Sequence, residues 1–188
     1  MRDPKRLVLQ KALTEYLQRE VSEGNDAYDH DLTDRVFRGR GFFTTDDPLP
    51  AISILEDPTP DRFAPVAGNR GPQHGVPLES YVLLIQGWAE EDKRNPTDPA
   101  HRLMADLRMA LAKLANRGDS CSMESSFGSQ SESDSDNPDY LLGGLIESIV
   151  VEPGVVRPPT EQVSDIAFFW MRVVVSLSED PNNPYNLQ

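Results

Sequence analysis

The sequence predicts an α+β fold: a mostly antiparallel (mixed) β-sheet with two α-helices packed on it and long loops. Three observations predict it. Two segments, one at the start and one in the middle, carry apolar residues at helical spacing. Several others alternate, or run continuously apolar, in the β-branched and aromatic residues that suit strands. Strands partly follow one another without intervening helices, so the regular strand–helix alternation of a parallel sheet is missing.

The first helix runs from Asp3-Pro4 to about Glu23, with Leu9, Leu13, Tyr16, Leu17 and Val21 on one face. Asp3-Pro4 is a start signal and Gly24-Asn25 a stop. A short strand follows near Asp34–Phe37, then a turn permitted by Gly39 and Gly41 and an exposed loop ending in Asp46-Asp47-Pro48. AISILE, residues 51–56, places Ile52 and Ile54 on one face and Ser53 on the other, as a core strand does. Pro48 and Pro50 precede it, where no ladder donor is required.

Residues 57–77 hold Pro58, Pro60, Pro65, Pro72 and Pro77 with Gly68, Gly71 and Gly75, too long for a tight hairpin. They read as an arm reaching away from the body. Ser80–Trp88 is apolar on both faces and reads as a central strand. Asp98 and Pro99 then open the second helix as N-cap and first residue, with Leu103, Met104, Leu107, Leu111 and Leu114 on its apolar face. Arg102, Asp106 and Lys113 fall mainly off that face, and Asn116-Arg117-Gly118 ends the helix.

Residues 118–139 are dominated by serines and acids and cannot bury enough surface to repay ordering, so they read as a flexible insert. Leu145–Glu152 and Ser164–Glu179 are two further strands, antiparallel to each other, with turn chemistry in VEPGVVRPPTEQ between them. The whole, residues 1–188, reads as a single domain.

Composition excludes several functions. With 31 acidic against 18 basic residues the net charge is -13, which repels nucleic-acid phosphates and anionic membranes. Cys121 is the one cysteine, so no internal disulfide can form and a reducing compartment fits. The N-terminus lacks a signal peptide's apolar core and no apolar run reaches the roughly 20 residues of a membrane span, so a soluble cytosolic product is expected.

No motif for catalysis, cofactor or metal emerges. His30, His74 and His101 lie in separate contexts without ligand spacing. Asp26, Asp29, Asp31 and Asp34 lack the glycine and the glutamate of a calcium loop. GNRGPQHG lacks the Gly-Lys-Ser/Thr ending and the helix of a phosphate loop. Cys121 and its serine neighbours sit where no base is held in place, and the run Glu90-Glu91-Asp92 has no partner group. Arg35, Arg38 and Arg40 could contact phosphate, but pairing with this chain's many acids is favoured. A non-enzyme without cofactor is the expectation.

Three pieces carry a resemblance: DPLPAISILED, YVLLIQGWAEEDKRNPTDPAHRLMADLRMALAKL and FFWMRVVVSLSEDPNNPY. With the N-terminal helix, their order resembles the tail terminator (tail completion) proteins of tailed bacteriophages. The resemblance covers most of the chain except residues 57–77 and 118–139. It implies a virion structural protein of the tail and neck, assembled in the host cytoplasm as a homo-oligomeric ring, usually a hexamer. Such a ring caps the tail tube protein, joins it to the head–tail connector, and lets DNA pass through without specific binding. Asp46, Asp47, Glu90, Glu91 and Asp92 are the candidates for its charged rim or channel surface. The alternatives are another neck or head-completion protein, or, in a different class, an acidic DNA-mimic binding module.

Overall fold

The computed structural model describes residues 2–44, 46–57, 78–116, 137–160, 166–179 and 183–185. The expected arm beyond Asp57 and the Ser/Asp-rich insert as far as residue 136 lie outside these. The elements are α1 (Lys5–Glu20), β1 (Val36–Arg38), β2 (Ala51–Glu56), β3 (Leu78–Trp88), α2 (Asp98–Ala115), α3 (Leu141–Gly144), β4 (Ser148–Val151), β5 (Val155–Arg157) and β6 (Phe168–Ser178). The strands form one mixed sheet in the order β1-β2-β3-β6-β4, with β5 on the same side of β6 as β4. Among the described strands only the β1–β2 pair is parallel. This is the α+β architecture that the pattern of elements predicts, with β3 central.

The sheet has two unlike faces because its side chains alternate. In β6, Phe169, Met171, Val173, Val175 and Leu177 are buried. They meet Ile52, Ile54, Leu83 and Ile85 of the same face in one core with α1 and α2. α1 contributes Leu9, Leu13 and Leu17; α2 contributes Leu103, Leu107, Leu111 and Leu114. The Tyr16 hydroxyl donates to Ala110 O at 2.7 Å, joining the two helices where both are buried. On the opposite face a smaller cluster forms around Phe43, Ala51, Trp88 and Ile166. Phe43 comes from the segment that returns the chain from the end of β1 to the start of β2, and its ring lies 4.5 Å from that of Trp88.

Several boundaries differ from the sequence expectation. α1 ends at Glu20, three residues short of Glu23, and Asn25 Nδ2 donates to Glu20 O at 3.0 Å, closing a free terminal carbonyl. At α2 the N-cap is Thr97, not Asp98; Asp98 is already helical and places its charge in the first turn. Asp106, expected off the buried face, is 8% exposed. The expected strand over residues 145–152 shrinks to Ser148–Val151 because α3 precedes it. α3 is a left-handed turn, with φ of 50° at Leu141, 55° at Leu142, 67° at Gly143 and 82° at Gly144. Two glycines relieve half of a conformation that costs roughly 1–2 kcal/mol for each other residue. β6 is Phe168–Ser178, with residues 161–165 outside the description.

β5 lies inside the segment expected as a turn. Val151 pairs with Val173 and Val155 with Trp170, so three residues on one strand face two on the other. That is a β-bulge, and β4 and β5 are two halves of one bent strand. A side chain at Gly154 would come within 2.5 Å of Met104 Sδ on α2, which explains a glycine at the bulge.

Candidate functional site: the acidic end of the sheet

The register places the candidate residues together. Ala51, the first residue of β2, pairs with Trp88, the last of β3, and Trp88 pairs with Phe168, the first of β6. The segment before β2, carrying Asp46 and Asp47, and the one after β3, carrying Glu90, Glu91 and Asp92, therefore leave the same end of the sheet. Asp29, Asp31 and Arg35 reach this end too, because β1 runs parallel to β2 and Arg35 O accepts from Ile52 N–H at 2.9 Å.

The five candidates divide by what they touch. Asp46, Glu90 and Glu91 are exposed. Asp47 is turned inward: it accepts the Thr44 N–H at 2.8 Å and pairs with Arg40. The Thr44 N–H first, then Arg40, hold its carboxyl below the usual aspartate range. Arg40 in turn lies over the Phe43 ring, 4.1 Å from its centroid, so this arginine ties Asp47 to the smaller cluster. Asp92 accepts the backbone N–H groups of Asn95 at 3.0 Å and Arg94 at 2.8 Å, which lower its pKa in that order of weight. Asp47 and Asp92 thus build the turns that present Asp46, Glu90 and Glu91.

Beside these turns lies an open cleft of about 400 Å³, lined by Asp29, His30, Asp31, Arg35, Glu90 and Arg102 together with Leu49 and Pro50. Its back is organised by Asp106. One oxygen, Oδ2, accepts the Asp29 N–H at 3.0 Å, the His30 N–H at 3.2 Å and His30 Nδ1 at 2.7 Å. A carboxylate accepts only, so Nδ1 is the donor in this contact. Asp31 is occupied by its own turn, accepting the Thr33 N–H at 2.9 Å, and this holds its carboxyl low. Arg35 donates to Leu49 O. The lining therefore combines an oriented imidazole, two guanidiniums and three carboxylates, with no hydroxyl or thiol among the described residues. Among those residues no group of three or more His, Cys, Asp or Glu is arranged to hold a metal ion.

Of the three arginines considered for phosphate contact, Arg40 pairs with Asp47, Arg35 serves a carbonyl and Arg38 is exposed. The His30–Asp106 pair was not visible in the sequence. Seventy-six residues separate the two, and neither sits in a motif. The one available signal was an aspartate on the flank of an otherwise apolar helical face. No helix among the described residues is long and apolar enough to cross a membrane. No protein-family model matches the chain, and no curated protein matches it.

Proposed function

We propose that the chain is a tail terminator of a tailed bacteriophage. In this reading it is a non-enzymatic virion subunit whose copies, six in the family it resembles, form a ring on the tail tube and join it to the neck. The three pieces that carry the resemblance are β2, the β3–turn–α2 unit and β6, which together build the centre of the sheet and one of its helices. The observation that carries the functional reading is the gathering of exposed Asp46, Glu90 and Glu91 at one end of that sheet, on turns braced by Asp47 and Asp92.

A channel for DNA needs a wall that does not hold phosphates. Carboxylates repeated around a ring meet that need, because like charges raise the local potential and no counterion release rewards binding. Braced turns keep the charges at the rim.

The test is electron microscopy of the purified protein mixed with tail tubes that lack their terminator. A ring seated at one end of each tube is expected. Bare tubes over a wide range of protein concentration would overturn the reading.

A further inference from the structure

Residues 137–146 lead from the C-terminal end of α2 toward β4 and lie against both α1 and α2, with the left-handed turn α3 in their middle. The backbone hydrogen bonds donated by this segment stay inside it. The N–H of Tyr140 donates to Asn137 O and that of Leu142 to Asp139 O. Gly143 and Gly144 both donate to Tyr140 O, Leu145 to Leu142 O and Ile146 to Leu141 O, all six bonds falling between 2.8 and 3.4 Å. None of them joins the segment to a helix or to the sheet, so it can leave the body without breaking a backbone ladder.

Its ties to the two helices are of weak kinds. Asn137 Nδ2 donates to Lys113 O at 3.0 Å and to Asn116 O at 3.1 Å, both at the surface. Asp139 pairs with Arg19, whose side chain is 62% exposed, and an ion pair in that setting contributes little. Leu141, Leu142 and Leu145 rest on the core but are only half-buried. An open crevice of about 210 Å³ lies between Leu142 and Gly143 on one side and Ala12 and Tyr16 of α1 on the other, so packing attraction is lost along that side. Ile146, buried in the core, is the fixed end. Against these ties works the backbone of Leu141 and Leu142, at φ of 50° and 55°. A residue other than glycine sits in that region against a bias of roughly fivefold to thirtyfold, and leucine has no polar side chain to offset it.

We infer that residues 137–145 are a strained lid that swings off α1 and α2 as one unit, about Ile146, while the rest of the fold stays closed. The burial of Leu141 and Leu142 holds the lid down, and their left-handed backbone, which relaxes once they leave the core, drives it open. Opening uncovers the wall of the crevice on α1, at Ala12 and Tyr16, and frees the last carbonyls of α2 that Asn137 covers. The device is independent of the terminator reading and stands or falls without it.

The test is native-state hydrogen exchange of the full chain, read at Gly144 and Leu145 for the lid and at Leu107 and Leu111 of α2 for global opening. In the wild type the two lid amides should share one opening and be protected about a hundredfold less than those of α2. Leu142→Ala and Leu142→Gly both remove the side chain, so the difference between them reads the backbone alone. In ordinary helix and strand alanine is the better residue; here glycine should protect the lid about fivefold more than alanine, because it fits a positive φ. The α2 amides should not distinguish the two variants. Gly143→Ala adds strain at φ of 67° where a Cβ meets nothing nearer than Pro138 O at 3.9 Å, and should loosen the lid by a similar factor. It decides the matter if the Leu142 variants fail to fold. Three outcomes overturn the lid: wild-type lid amides as protected as those of α2, glycine at 142 no better than alanine, or variant effects of equal size in the lid and in α2.

Discussion

His30 Nδ1 lies 2.7 Å from Asp106 Oδ2, and that one oxygen also accepts two backbone N–H groups of the segment before β1. A single carboxylate in the middle of α2 therefore anchors the segment that lines the cleft. Asp106→Ala removes the acceptor for three donors. A buried donor left unpaired costs about 1–3 kcal/mol, and the losses here partly overlap, so a destabilisation of about 3 kcal/mol is expected in urea unfolding. Asp106→Asn keeps one carbonyl oxygen and should lose less. An Ala variant with the wild-type midpoint would show that water replaces the carboxylate freely.

That relationship was out of reach of the sequence, whereas the sheet around it was not. AISILE announces β2 because Ile52 and Ile54 alternate with Ser53, and β3 announces itself by being apolar on both faces. Both signals are local. β5 escaped because Pro153, Gly154, Pro158 and Pro159 surround it with turn chemistry. Its pairing depends on a bulge that only the distant β6 can impose. The acidic candidates were legible as charged residues, but their division was not. Whether an aspartate faces solvent like Asp46 or caps a turn like Asp92 depends on backbone N–H groups that take shape only with the fold. His30 and Asp106 meet through tertiary packing alone.

Gly87 leaves no room for a side chain in the core. It pairs with Phe169 across the sheet, and a Cβ there would lie 2.2 Å from the Phe169 ring and 2.8 Å from Ile52 Cδ1. Both neighbours are fully buried, so neither ring nor methyl has free space to move into. Gly87→Ala should cost about 1–3 kcal/mol, the usual penalty of overpacking, although alanine suits a strand better than glycine. A second change, Phe169→Leu, should recover part of the loss by making room. Denaturant midpoints of the single and double variants check this. An additive pair would place the strain elsewhere.

Acid should weaken the fold through the turns of the acidic end. Asp31, Asp47 and Asp92 are each held below the ordinary aspartate value of 3.8, chiefly by backbone N–H groups. A carboxyl lowered in the folded state adds stability above its unfolded pKa and loses it as pH falls through the folded one. The unfolding free energy should therefore decline as pH drops below 3.8, and Asp47→Asn with Asp92→Asn should shallow that decline. At the alkaline end the order reverses. Burial first, with nearby carboxylates, raises the phenols of Tyr16, Tyr28 and Tyr81, so their contribution is intact below the ordinary value of 10.0 and is lost as pH rises beyond it. Urea titrations across both windows measure the slopes, and a flat acid limb in the wild type would contradict the role given to these turns.

The rim itself can be reversed in sign. Asp46, Glu90 and Glu91 are exposed at one end of the sheet, so lysines there should leave the fold intact, with a melting temperature within a few degrees of the wild type. Asp46→Lys, Glu90→Lys and Glu91→Lys together change the rim by six charges per subunit, two for each replacement. Wild-type protein should show no binding to a DNA duplex at low salt, where electrostatic attraction would be strongest. The triple variant should bind duplex DNA regardless of sequence, with an affinity that falls steeply as salt rises, since each neutralised phosphate releases counterions. If the rim faces the DNA path, particles assembled with the variant should also eject their DNA more slowly. Equal ejection by particles that contain the variant would move these carboxylates away from the channel and leave them as a solubilising surface.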